Sequence, residues 1–168
     1  DTRAAYKNQA ATIEVLARVR AQSDADVRLV RVGPPLGEAD KKHARSCRVA
    51  HAIIELGALA RDEVVSVYNL CDVLLFPSFY EGFGWPPLEA MACGVPVVAS
   101  RATAVAEVVG DAALQADAVD YDALAAHVLN VLGDGATATR LAERGRARAT
   151  TFTWDRAASM TAAVYELV

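Results

Sequence analysis

Short apolar runs alternate with longer amphipathic segments along this chain, and the alternation predicts a succession of strands and helices. Runs with the apolar composition of strands lie at residues 27–32, 52–56, 73–76, 94–100 and 113–115. The first helix is predicted from the spacing of Ile13, Val15, Leu16 and Val19. Strands that alternate with helices at this spacing pair in parallel, so the pattern predicts an α/β fold with a doubly wound parallel sheet.

The helices between and after these strands have recognisable boundaries. They are predicted over 38–48, from a cap at Asp62 to about Asn69, over 88–93 behind Pro86 or Pro87, and over 104–109. Beyond residue 119 the pattern is wholly helical, with segments at 121–132, 136–151 and 154–168. The predicted architecture is therefore an α/β sheet followed by a helical C-terminal segment.

The chain opens on a helix, with no preceding strand for that helix to pack against. This start indicates that the 168 residues are a piece of a longer protein, truncated at the N-terminus. A hydrophobic fraction of 54% suffices for one core, so residues 1–168 are predicted to form a single domain. No apolar stretch reaches membrane-spanning length, and association with a membrane is not indicated.

Charge and cysteine content exclude several classes of function. The 17 basic and 21 acidic residues are scattered and give a net charge of −4, which does not favour binding to nucleic acid. Three cysteines without Cys-x-x-Cys spacing suggest neither a disulfide framework nor a zinc site, and a reducing cytoplasm is the expected location. The three histidines, His43, His51 and His127, show no partner spacing, and no metal site is predicted.

The segment from Ser78 to Gly94 carries most of the chemical information. It places two carboxylates, Glu81 and Glu89, on either side of a turn broken by glycine and proline, between a buried strand and a helix. The unpaired N–H groups at the start of such a helix form an anion site, and Gly82 and Gly84 let the backbone approach a ligand closely. The sequence therefore predicts a ligand site at the carboxyl end of the strand over 73–76.

Each candidate in this segment also has an interpretation without a ligand. Glu89 near a helix start is favourable for electrostatic reasons alone, and Glu81 can be a solvated loop charge. Lys7, the best basic candidate for an anionic ligand, can be an ordinary surface lysine. Trp85 can line the site or pack against the sheet.

Residues 81–100 closely resemble the signature of the retaining glycosyltransferases of family 4. The resemblance rests on two glutamates separated by seven residues, on the glycines and prolines between them, and on the following Gly94-x-Pro96-Val97-Val98. It extends over nearly the whole chain through these shorter matches: Tyr6-Lys7-Asn8, Leu56-Gly57, Leu70-Cys71-Asp72-Val73, Glu107 to Ala113, and Phe152-Thr153-Trp154.

The resemblance implies the C-terminal, donor-binding half of a two-domain enzyme with the Rossmann-like GT-B fold. Such an enzyme transfers a sugar from a nucleotide diphosphate to an acceptor, which the sequence does not identify, with retention of configuration. It needs neither a cofactor nor a metal. The N-terminal half, which holds the acceptor, is missing from these residues, so this chain alone is expected to be inactive.

The resemblance also assigns roles to individual residues. Glu81 and Lys7 take the catalytic roles, and Glu89 accepts hydrogen bonds from the ribose. The other residues implied in donor binding are Gly82, Phe83, Gly84, Trp85, Leu88, Gly57, Ala58 and Arg3. Arg3 departs from the family spacing, and Tyr6 stands where arginine is common.

Two other functions remain open at this stage. The chain could be a module that binds a nucleotide sugar without turnover, or a nucleotide-sugar epimerase of the same architecture. A nicotinamide-dependent dehydrogenase is disfavoured, because Gly82-Phe83-Gly84 is followed by Trp-Pro-Pro and the third glycine of a Gly-x-Gly-x-x-Gly motif is missing.

Overall fold

A computed structural model describes the backbone of residues 2–166 and the side chains of residues 5–102 and 104–166. Strands and helices alternate up to residue 116, and helices follow. The strands are β1 (Leu29–Arg31), β2 (Ile53–Glu55), β3 (Leu74–Phe76), β4 (Val97–Ser100) and β5 (Leu114–Ala116). The helices are α1 (Gln9–Gln22), α2 (Glu38–Ser46), α3 (Arg61–Leu70), α4 (Trp85–Cys93), α5 (Thr103–Val109), α6 (Tyr121–Gly133), α7 (Gly135–Ala149) and α8 (Trp154–Tyr165).

All described strand pairs are parallel, as the alternating pattern predicts. β1 pairs with β2, and β3, β4 and β5 form a second sheet with β4 in the middle. β5 therefore lies at an edge, which confirms its predicted position. A cavity of about 940 Å³ lies between β1 and β3 and is lined by residues of both strands.

Strand β4 has helices on both of its faces, which confirms the doubly wound α/β class. All four of its residues are buried. Val98 packs in a cluster with residues of α1 and α6, whereas Val97 and Ala99 pack with residues of α4 and α5. The alternation follows from the period of two along a strand, because successive side chains point to opposite faces. Because β3, β4 and β5 are parallel, their carboxyl ends meet at one edge of the sheet. The loop before α4 lies above this edge.

Two local predictions from the sequence are wrong. Leu74 and Leu75 of β3 are only partly buried, because the strand borders the cavity rather than the middle of the sheet. Asp62 does not cap α3, since Ala60 is the capping residue and its N–H donates to Oε2 of Glu63 at 2.7 Å. Asp62 lies in the first turn instead, where a carboxylate is favourable next to the positive end of the helix dipole.

The predicted C-terminal helices are present, and the last one has an exposed surface throughout. α8 has no buried residue, and Trp154, Met160 and Tyr165 are among its exposed apolar side chains. Its predicted extension over the last two residues, 167 and 168, lies outside the described part of the chain. Among the described residues, no helix has both the length and the apolar character needed to cross a membrane.

Candidate functional site

The loop before α4 turns sharply into the helix at Gly84. This residue has φ near +112°, a backbone conformation that is strained for any residue with a side chain. A Cβ built there would lie 3.5 Å from Cγ2 of Val105. Trp85, Pro86 and Pro87 then form the first helical turn. Because proline has no N–H, the helix start offers only the amides of Gly84 and Trp85 to an anion, fewer than a typical helix N-terminus.

Lys7 and Glu81 lie side by side, as expected of a common site. The Lys7 Nζ is 3.6 Å from Oε1 of Glu81, and the Ser78 hydroxyl donates to the same oxygen at 3.0 Å. The Glu81 side chain is 13% exposed and that of Lys7 is 40% exposed. Glu81 is therefore held in a fixed orientation, while the lysine retains access to a ligand.

Asn8 explains why Lys7 comes to the edge of the sheet. It is buried, adopts the left-handed conformation with φ near +52°, and caps α1 by accepting from the Ala11 N–H at 3.4 Å. Its Nδ2 donates to the carbonyl oxygens of Pro77, at 3.0 Å, and Ala118, at 2.8 Å. Those carbonyls follow β3 and β5, so Asn8 attaches the segment containing Lys7 to the carboxyl edge of the sheet.

In the sequence, Asn8 stands out only within the match Tyr6-Lys7-Asn8, although an asparagine just before an apolar helical pattern is itself a capping signal. A backbone hydrogen bond reinforces the attachment, since the Phe79 N–H donates to the Tyr6 carbonyl at 2.7 Å.

Glu89 lies on the exposed side of α4 and interacts with a tyrosine that sequence reasoning missed. The Tyr68 hydroxyl, on α3, is 3.2 Å from Oε2 of Glu89 and 3.3 Å from the Pro86 carbonyl oxygen. Burial raises the pKa of Tyr68 far above its usual value, and the Glu89 carboxylate raises it further. The hydroxyl therefore stays protonated and donates a hydrogen bond. No signal in the sequence pairs these two residues, because they lie on different helices.

The cavity between β1 and β3 connects the two parts of this arrangement. Lys7, Ser78, Tyr68, Pro86 and Glu89 all line it. Its volume of about 940 Å³ lies within the range of small-molecule sites. The structure thus brings a cation, a carboxylate and hydroxyl groups to one concave region at the end of the strands.

The other predicted donor-binding residues lie in several places. Gly57 and Ala58 follow β2, and the Gly57 carbonyl accepts a hydrogen bond from the Gly33 N–H at 2.7 Å. Neither Gly57 nor Ala58 is among the described residues that line the cavity. Gly82 has open space around its Cα. Leu88 is buried, and its N–H donates to the Gly84 carbonyl at 3.3 Å. The side chain of Arg3 lies outside the described residues.

Trp85 belongs to an aromatic cluster that joins the start of α4 to the start of α8. Its ring centroid lies 4.8 Å from that of Phe83 and 6.0 Å from that of Trp154, and Phe83 also contacts the edge of Phe152. Trp85 remains 51% exposed, so it packs on other aromatic rings and also presents surface beside the cavity.

Comparison with known proteins assigns this α/β fold to the glycosyltransferases of the Rossmann-like GT-B type. Residues 2–148 match the model of the family described as glycosyl transferases group 1, and the chain belongs to that family. Among curated relatives it is 44% identical over 113 residues to the O-antigen chain mannosyltransferase B of Escherichia coli, covering 67% of this chain and 30% of that protein. It is 35% identical over 158 residues to the MMP alpha-(1->4)-mannosyltransferase of Mycolicibacterium hassiacum, covering 92% of this chain and 38% of that protein.

Two solved structures extend the comparison. The C-terminal domain of a glycosyl transferase group 1 family protein, LpcC of Francisella tularensis, is 27% identical with a TM-score of 0.74; the match covers 87% of this chain and 79% of that one. Alr3699/HepE of Anabaena, in complex with UDP-glucose, is 26% identical with a TM-score of 0.69; here the match covers 82% and 40%. The chain thus spans well under half the length of the curated relatives it matches.

Proposed function

We propose that this chain is the donor-binding half of a retaining glycosyltransferase of family 4, which transfers a sugar from a nucleotide diphosphate to an acceptor. The observation that carries the proposal is the cavity lined by Lys7, Tyr68 and Glu89. Glu81 adjoins this cavity through its ion pair with Lys7, and Tyr68 contacts Glu89. The C-terminal domain of LpcC supports the assignment to that half, and the UDP-glucose complex of the Anabaena protein supports a nucleotide-sugar donor.

The diphosphate of the donor gains charge on the leaving oxygen as the bond to the sugar breaks. Groups that stabilise this charge lower the transition state more than the ground state. Lys7 supplies the cation for this role. The Gly84 and Trp85 amides add hydrogen bonds, and Lys7 carries the larger share because the two prolines remove the next two donors.

Glu89 is suited to hold the ribose of the donor. Tyr68 engages its Oε2, which fixes the carboxylate and leaves Oε1 to accept from ribose hydroxyls. Glu81, fixed by Ser78 and Lys7, accepts from hydroxyls of the donor sugar. The mannosyltransferases among the relatives favour mannose as the transferred sugar.

The protein groups replace a divalent metal at the diphosphate, and the reaction retains the anomeric configuration. The first statement is supported by the position of Lys7, the second by the resemblance of residues 81–100. Proton NMR of the anomeric position of the product tests retention, since an inverted product would contradict it.

A second function is binding without turnover. It is favoured by the short span of the matches, 30% and 38% of the two relatives, because groups that the rest of a relative contributes to catalysis have no counterpart in these 168 residues. Isolated chain that transfers sugar to a range of acceptors would contradict this view.

Calorimetric titration with UDP, GDP, ADP and their mannose and glucose conjugates tests donor binding directly. Glu89→Ala should weaken binding of the preferred donor by at least about tenfold, because a hydrogen bond to a charged group contributes about 1.5–3 kcal/mol. The matched control is Glu143→Ala, which removes an exposed carboxylate from α7. Equal affinities of the two variants would remove the ribose role.

The same titration in EDTA tests the metal-free statement, and the expected affinity is unchanged. A loss that Mg²⁺ restores would contradict it.

A further inference from the structure

Three side chains with different ligand atoms meet between α1 and α2, away from the cavity. His43 lies in the last turn of α2, and Cys47, four residues further on, caps the C-terminal end of this helix on the same face. Glu14 faces them from α1. The His43 Nε2 lies 3.0 Å from Oε1 of Glu14, and the Cys47 Sγ lies 3.8 Å from that oxygen. The Cys47 Sγ and the His43 Nε2 are 3.9 Å apart. The three atoms thus form a triangle with one short side, between His43 and Glu14, and two longer sides that meet at Cys47.

The size of this triangle matches one face of a tetrahedral zinc site. At the usual bond lengths of zinc to sulfur, nitrogen and oxygen, tetrahedral angles place the ligand atoms about 3.3–3.6 Å apart. Each observed distance differs from that range by a few tenths of an ångström, which small rotations of the side chains remove. We propose that Glu14, His43 and Cys47 bind Zn²⁺ between α1 and α2.

The ligand set selects the class of metal. Thiolate and imidazole ligands suit Zn²⁺, whereas Mg²⁺ and Ca²⁺ prefer sites made of oxygen alone. On binding, the Cys47 thiol forms its bond to the metal and releases its proton to solvent. His43 binds the metal through Nε2 as the neutral tautomer with its proton on Nδ1, so the hydrogen bond from Nε2 to Glu14 is replaced by the bond to the metal. The thiolate and the carboxylate then balance the two charges of the ion, and water completes the fourth position.

The ligands are well supported by the surrounding structure. The Arg18 guanidinium binds Oε2 of Glu14, which turns Oε1 toward His43 and Cys47. Arg18 is itself fixed, because its Nε donates to Oδ1 of Asp122 on α6 at 2.6 Å. Buried Leu16 of α1 and Ala44 of α2 belong to one apolar cluster, which packs the two helices together. Ligands on two packed helices need little reorganisation to bind a metal.

Sequence reasoning missed this site because its ligands come from separate elements. Cys47 and Glu14 are 33 residues apart in the sequence. His43 has no second histidine, and Cys47 no second cysteine, at a typical metal-ligand spacing. The sequence contains no paired cysteines, and for that reason no zinc site was predicted. That prediction considered only sites built from local motifs.

Titration of the purified protein with Co²⁺ tests the proposal, because cobalt reports its ligands by its absorption. We expect one equivalent to produce the charge-transfer band of a thiolate together with the visible bands of a tetrahedral ion, and Zn²⁺ to displace both. Cys47→Ser should abolish the thiolate band, whereas the matched control Cys71→Ser, on a cysteine outside the cluster, should leave it intact. A titration without that band, or a band that persists in Cys47→Ser, would overturn the proposal.

Two further measurements give an answer even where a variant folds poorly. In the unaltered protein, Zn²⁺ should protect Cys47 from alkylation and leave the rates at Cys71 and Cys93 unchanged, as read by peptide mass spectrometry. Zn²⁺ should also raise the melting temperature, since a ligand that binds only the folded state stabilises it. His43→Gln should lose both effects and His127→Gln should keep them. If zinc leaves the alkylation rate of each of the three cysteines unchanged, the proposed site is contradicted.

Discussion

The two ends of helix α4 differ in almost every respect. At its N-terminal end, Gly84 takes a left-handed conformation and Trp85 is half exposed beside the cavity. At its C-terminal end, Gly94 also takes a left-handed conformation, but it caps a helix whose Met91 is fully buried against α7. One end is exposed beside the cavity, and the other is closely packed.

This difference shows how the domain positions its chemistry. A Cβ on Gly145 of α7 would lie 3.1 Å from Cγ of Met91, so the glycine lets the two helices approach closely. Because close packing fixes the C-terminal end, the N-terminal end can be half exposed and follow a loop without losing its position. Variants at the two ends should therefore separate activity from stability.

The largest effect is expected at the ligand-binding end. Lys7→Met should lower the turnover of the complete enzyme by about 100-fold or more, as the loss of a group that stabilises developing charge usually does. The melting temperature should change little, because Lys7 is 40% exposed and Glu81 keeps the hydrogen bond from Ser78. An ion pair with one solvent-accessible partner contributes only about 0–1 kcal/mol. Steady-state kinetics and thermal melting measure the two quantities.

Lys41→Met is the matched control for this prediction. Lys41 pairs with Glu38 at 3.1 Å, and its side chain is 39% exposed, nearly the same as Lys7. It lies on α2, outside the cavity. Equal turnover of both variants and the unaltered enzyme would assign Lys7 to the surface.

The opposite outcome is expected at the packed end. Gly145→Val should lower the free energy of unfolding by about 1–3 kcal/mol, because added carbon atoms meet the side chain and backbone of Met91. Donor affinity of the folded protein should remain unchanged. Chemical denaturation and calorimetry test the pair of statements.

Gly133→Val serves as the control, since a Cβ at this exposed end of α6 meets nothing within 4 Å. If both valine variants unfold at the same denaturant concentration, the close approach of α4 and α7 does not matter for stability.

The order of the strands and helices could be predicted from the sequence, but the surroundings of each element could not. The alternating pattern predicted every described strand. The match over residues 81–100 drew attention to Glu81 and the match at Tyr6-Lys7-Asn8 to Lys7, and the structure places these two side chains 3.6 Å apart. Periodicity reports burial along one element at a time. It therefore did not reveal that β3 borders a cavity while β4 occupies the middle of the sheet.

Contacts between distant elements explain what the sequence did not reveal. Tyr68 reaches Glu89 from another helix, and Asn8 fastens the Lys7 segment to carbonyls 69 and 110 residues away. Such pairings depend on how helices pack, and no local spacing encodes them. The roles assigned to the individual site residues all stay predictions, from Glu81, Lys7 and Glu89 to Gly57, Ala58 and Leu88, since no ligand contact tests them.

The smallest effect concerns Tyr68, which acts through Glu89. Tyr68→Phe removes one hydrogen bond from the carboxylate, and we expect donor affinity to fall by about fivefold, equivalent to about 1 kcal/mol. Tyr165→Phe, on an exposed tyrosine of α8, should have no effect. The decisive measurement is the double variant with Glu89→Ala. If Tyr68 only positions the carboxylate, the double variant binds donor no more weakly than Glu89→Ala alone; additive losses would instead show that Tyr68 contacts the donor itself.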